Sequence, residues 1–171
     1  MQRYFCDEQG KARVPETHML IKKIKKLVDA FARRKRPIIF TQHIDKEGSL
    51  LTRWWQDNIR EDDPMSEITK GLNKDEGIVL VKHQYDAFLN TDLEKILRKE
   101  KAEQVVICGV LTNLCCETTA RGAFMRGFEV YFTKDGTKTY KKEMHDATEL
   151  NLSYGFATLM NVAEVLTSFS Q

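Results

Sequence analysis

Short apolar runs alternating with amphipathic helical stretches predict an α/β fold: a three-layer α/β/α sandwich around a mostly parallel, Rossmann-like sheet. Three observations carry that expectation. The runs at 37–41, 78–81, 105–110 and 128–132, with a weaker one at 156–160, are continuous rather than alternating, as in parallel strands covered on both faces. The stretches between them repeat apolar residues at helical spacing. No internal repeat, low-complexity tract or Pro/Gly-rich linker divides the chain, so residues 1–171 read as one domain.

The elements follow in order. Residues 17–34 place Leu20, Ile21, Ile24, Leu27, Val28 and Phe31 on one helical stripe. Thr91 is a candidate cap for a helix to Lys99 that carries Leu93, Ile96 and Leu97. Residues 113–126 read as a helix stopped by Gly127, and 140–152 and 161–169 complete the helical set. The segment 44–76 differs: it is acidic, punctuated by Gly48, Pro64 and Gly71, and carries the pair Trp54–Trp55. It is too long for a plain connection and is expected to be an excursion over one end of the sheet. Ligands of such folds bind beyond the carboxyl ends of the strands, so the excursion would shape a pocket there.

Composition narrows the function classes. With 42% hydrophobic and 30% charged residues, the 171-residue chain buries a core and is neither disordered nor fibrous. A net charge of +2 gives no reason to invoke nucleic acid. The basic runs at 22–26 and 33–36 read as a solvated helix face and a complement to the helix dipole. The longest apolar runs are far too short to span a bilayer, so no membrane partner is expected. Of the cysteines Cys6, Cys108, Cys115 and Cys116, two are adjacent and Cys108 sits in a strand-like run. A disulfide framework is not expected, and a reducing cytoplasm is the default compartment. No CxxC pair supports a zinc-ribbon or thioredoxin-like reading.

The stretch 107–120 (Ile-Cys-Gly-Val-Leu-Thr-Asn-Leu-Cys-Cys-Glu-Thr-Thr-Ala) ends a strand, turns, and opens a helix. Cys115 then falls in the first helical turn, where free N–H groups and the dipole favour a thiolate. Cys116 shares a face with Ala120, Ala123, Phe124 and Gly127 and is expected to pack on the sheet, whereas Cys115 is off that face. Local context leaves two readings open, an activated nucleophile at Cys115 or a pair of core thiols. Lys82 ends the run 78–81 and points into the expected crevice, either to stabilise a developing anion or as a snorkelling lysine.

These blocks resemble the isochorismatase-like cysteine hydrolases, a family that includes nicotinamidases and carbamoyl-amide hydrolases. Val81-Lys82 followed by Tyr85, Ala87-Phe88, Thr91 and Leu93 is similar to the family's lysine block. Residues 109–116 with Thr119-Ala120 resemble its nucleophile block, and 128–132 with Asp135, then His145 with Ala147, Leu150 and Leu152, resemble later elements. The resemblance implies that Cys115 is the nucleophile and Lys82 the triad lysine. It also implies a cis peptide between Val110 and Leu111, so that the N–H groups of Leu111 and Cys115 form the oxyanion hole. The third triad member would be an aspartate closing a first, central strand, in a pattern similar to Asp-Met-Gln followed two residues later by an aromatic. This chain opens Met1-Gln2-Arg3-Tyr4-Phe5, so that strand and aspartate are expected to be missing. Either translation starts upstream, or the general base is absent.

The resemblance implies a hydrolase that cleaves the C–N bond of a small amide or ureido/carbamoyl substrate through a Cys115 thioester. The alternatives are vinyl-ether hydrolysis of the isochorismate type, which needs no nucleophilic thiol, and a non-catalytic binding or assembly module. Phe5, His43, Trp54 and Tyr85 are the expected pocket residues. Nicotinamidases hold a metal through Asp-x-His and a further His; Gln42-His43-Ile44-Asp45 lacks that pattern, so no metal and no cofactor are expected. His83 and His145 read equally as structural or functional. The expected partners are a small-molecule substrate and further copies of the chain in a homo-oligomer.

Overall fold

Among the described residues five strands form the middle layer, and they come in two separate parallel pieces. This is seen in a computed structural model that describes residues 1–168; the end of the expected helix 161–169, at Phe169, lies outside the described residues. In the first piece β1 (Ile39–His43) pairs with β2 (Ile78–Lys82), with Ile39 opposite Ile78 and His43 opposite Lys82. In the second, β3 (Gln104–Val110), β4 (Glu129–Lys138) and β5 (Thr158–Met160) lie in that order.

On one face of the second piece α4 (Leu93–Lys99), α5 (Glu117–Met125) and α6 (Lys142–Gly155) bury Leu93, Leu97, Cys116, Ala120, Ala123 and Leu152 against Phe128, Val130 and Phe132. On the other, α2 (Thr17–Arg33) and α7 (Val162–Ser168) bring Leu27, Val162 and Val165 together, while Leu20, Ile24 and Val28 pack on Phe40, Ile68 and Leu72. Helices on both faces of parallel strands make the three layers that the runs predict.

Several boundaries differ from the sequence reading. β1 starts two residues later than the run at 37–41 and continues through polar Gln42 and His43. Pro37 has no N–H for a ladder, and β1 follows β2 out to Lys82. β4 continues six residues past Phe132, because the β3 ladder shifts register between Ile107 and Gly109 and then pairs Thr137 and Lys138. At that shift the Thr133 hydroxyl donates to the Ile107 carbonyl at 2.7 Å. β2 is less covered than its composition predicts: Ile78, Val79 and Val81 are exposed, since β2 is the outermost strand of a two-stranded piece. The opening residues are not a plain loop. Arg3–Cys6 form a single helical turn, α1, and Gln2 bridges Ile68.

The unpaired edges of β1 and β3 border a cavity of about 890 Å³, lined by Ile39 and Thr41, by 104–110 and by Met1. The excursion 44–76 contains α3 (Leu50–Trp55) and two short 3₁₀ turns, Pro64–Ser66 and Lys74–Glu76. Among the described residues no helix is long and apolar enough to cross a membrane.

Candidate active site

The carboxyl ends of β1, β2 and β3 deliver the candidate residues to one place. After β3 the Val110–Leu111 peptide is cis, and the chain enters a π turn, Thr112–Cys116, before α5. The expected helix start at 113 is therefore a wider turn, with Leu111 O accepting from the N–H groups of Leu114 and Cys116 at 3.2 Å each. That turn sends the two cysteines different ways. Cys116 is 5% exposed in the core, where burial raises its thiol pKa far above the ordinary value; burial likewise pushes Cys108 up to about 11. Cys115 is only partly buried, and its Sγ accepts from Lys82 Nζ at 3.4 Å.

Lys82 ends β2 and is 2% exposed. Its ammonium donates to the Gln84 carbonyl at 2.6 Å and to Cys115 Sγ, and among the described residues no carboxylate reaches it.

Beside them stands Tyr85, whose hydroxyl accepts from Trp55 Nε1 at 2.7 Å. Burial raises the Tyr85 pKa, with further upward pressure from Cys115 and Asp45, while the Trp55 bond works in the opposite direction. His43 lies opposite Lys82 in the ladder; its Nε2 meets Asp45 Oδ1 at 3.0 Å and its Nδ1 is buried without a partner. Burial, then the Lys82 charge, pulls the His43 pKa below its ordinary value against the pull of Asp45.

Two expected pocket residues are not joined to this group. Trp54 is 72% exposed; successive helical positions on α3 point about 100° apart, and it is Trp55, itself 52% exposed, that reaches Tyr85. Phe5 packs edge-on against Tyr4 at 5.1 Å and makes no hydrogen bond or ring contact with Lys82, Tyr85 or Cys115. From the sequence, Trp54 and Trp55 read equally as a roof of the pocket or as packing of the excursion; the bond from Trp55 to Tyr85 was not foreseen. Nor were the bonds of Gln2. The Gln2 carboxamide donates to the carbonyls of His43 and Ser66 at 2.8 Å and accepts from His43 N–H at 2.8 Å, as a neighbouring strand residue would.

The residues present do not suit a resident metal. His83 Nδ1 meets the Ile44 carbonyl at 2.7 Å, His43 is engaged by Asp45, and among the described residues no three His, Cys, Asp or Glu side chains converge.

A strand-end lysine on the thiol of the following turn is the geometry that the sequence blocks imply, and residues 1–164 match the isochorismatase domain. The chain belongs to the isochorismatase family. It is 37% identical over 142 residues to nicotinamidase 3 of Arabidopsis thaliana, covering 78% of this chain and 71% of that protein. It is 30% identical over 151 residues to the isochorismatase of Bacillus subtilis (strain 168), covering 85% of this chain but only 48% of that protein. Among solved structures, a cysteine hydrolase from Pseudomonas syringae pv. phaseolicola 1448A superposes with a TM-score of 0.92 at 24% identity, covering 98% of this chain and 87% of that one. N-carbamoylsarcosine amidase from Thermoplasma acidophilum gives 0.81 at 24% identity, covering 91% and 89%. At these identities the superpositions establish the fold.

Proposed function

We propose that this isochorismatase-family chain is a cysteine hydrolase that cleaves the C–N bond of a small amide or ureido/carbamoyl substrate through a Cys115 thioester. The observation that carries the reading is the buried Lys82 ammonium, which among the described residues meets no carboxylate, on the Cys115 sulfur. Paired with it, Cys115 attacks the carbonyl carbon; the carbonyl electron pair moves to oxygen, where the N–H groups of Leu111 and Cys115 receive it. Collapse breaks the C–N bond, the nitrogen leaves with a proton, and water then cleaves the thioester to return the thiol. Tyr85 and Trp55 wall the substrate side. The higher identity to the nicotinamidase than to the isochorismatase favours an amide over a vinyl ether.

The reading needs a group to carry the proton to the leaving nitrogen, and the family resemblance gives that role to a carboxylate at the end of a strand. The unpaired edges of β1 and β3 on either side of one cavity, with Gln2 bonding the end of β1, support that placement. A parallel strand laid there with its carboxyl end at Met1 would bring its last side chain beside the turn of Cys115.

Limited iodoacetamide treatment followed by peptide mass mapping tests the nucleophile. Cys115 is expected to label first, and preferential labelling of Cys116 overturns the assignment.

A further inference from the structure

Helix α6 grips the turn that carries Cys115. Thr112, fully buried, faces His145 with Oγ1 and Nδ1 3.0 Å apart, and His145 Nε2 meets Glu149 Oε1 at 2.9 Å. One turn further along, Thr148 donates to Glu117 Oε2 at 2.7 Å, at the head of α5. From the end of β4, Thr139 donates to Asn113 Oδ1 at 2.7 Å. Both ends of the π turn are thus tied to groups outside it.

A carboxylate only accepts, so Glu149 requires a proton on Nε2, which orients the ring with Nδ1 on the Thr112 hydroxyl. Thr112 follows Leu111 directly and precedes Cys115 by three residues, so its anchor sets where the sulfur stands relative to Lys82. A buried hydroxyl deprived of its partner would be left unsatisfied, and the turn would shift to re-pair it. Neither Thr112 nor His145 touches Cys115 Sγ; the pair acts through the backbone of the turn.

We propose that His145, oriented by Glu149, is a positioning residue that fixes the Cys115 turn through the Thr112 hydroxyl. The inference rests on the reading of Cys115 as the nucleophile, and thiol alkylation tests it without any substrate. In the 171-residue chain, Thr112→Val and His145→Phe should each slow iodoacetamide labelling of Cys115 about tenfold, the scale of a small misplacement. Thr112→Ser, which keeps the hydroxyl, and His145→Asn, which keeps an acceptor near the Nδ1 position, should recover most of the rate. The double variant T112V/H145F should be no slower than either single, since one link is broken in all three. Glu149→Gln, at a partly exposed position that leaves the core untouched, should slow labelling in the same direction by a smaller factor.

Circular dichroism confirms which variants are folded, and Glu149→Gln with Thr112→Ser keeps the comparison open if His145→Phe does not fold. Labelling of Cys115 that is fast in the parent and unchanged in folded T112V, H145F and E149Q overturns the positioning role alone. Additive losses, or T112S as slow as T112V, overturn it as well. A parent chain in which Cys115 labels no faster than Cys116 overturns the nucleophile reading and this inference together.

Discussion

The buried ammonium of Lys82 has a carbonyl and a sulfur for partners, and on the proposed reading that pairing activates Cys115. Replacing the cation by an apolar chain of similar length removes its influence on the sulfur without opening a cavity. Lys82→Met should therefore slow alkylation of Cys115 at neutral pH about tenfold, while the thermal midpoint stays level or rises. An unchanged labelling rate would mean the ammonium does not act on the thiol. His43 is sensitive to pH in the other sense. Burial and the Lys82 charge hold its pKa below the ordinary value of about 6.5. The folded chain therefore binds fewer protons there than the unfolded chain, and stability falls as the pH drops through and below about 6.5. His43→Asn should flatten the fall in thermal midpoint over that range; an equally steep fall would place the titration elsewhere. At this scale Lys82 stood out because it ends an apolar run, and Cys115 because it opens the helix that follows another. The bonds of Gln2 to His43 and of Trp55 to Tyr85 were not legible, since those partners lie 41 and 30 residues away in the chain.

Among elements, apolar runs and helical stripes located all five strands and the long helices, because packing against both faces requires them. Their ends followed the ladder rather than composition. β4 continues through Thr133–Lys138 on hydrogen bonds that polar residues make as well as apolar ones, and the π turn at Thr112–Cys116 has no signature in periodicity. Gly127 was legible for a local reason: it follows α5 with φ +79°. Nothing stands within 4 Å of where its Cβ would be, so Gly127→Ala tests the backbone alone. It should cost about 1 kcal/mol in urea unfolding, with the slope unchanged. A loss near zero would mean α5 ends without using the left-handed conformation.

For the whole molecule, the three-layer order follows from the sequence, and the sheet is divided between β1 and β3. Unpaired ladder groups that are buried cost about 1–3 kcal/mol each, and β1 and β3 turn their free edges towards one cavity. On the account proposed above, joining an apolar strand that ends in Asp directly ahead of Met1 should raise the thermal midpoint and amide hydrolysis together. Equal stability and turnover in both chains would make the strand and its carboxylate dispensable. The central claim, that Cys115 forms a thioester, can be measured without that carboxylate. An activated ester such as p-nitrophenyl acetate has a leaving group that departs without a proton. Brief incubation with it followed by intact and peptide mass measurement should find one acetyl group, on Cys115, and none in Cys115→Ser. An acetyl group on Cys116, or a parent chain that takes up none, would contradict the account.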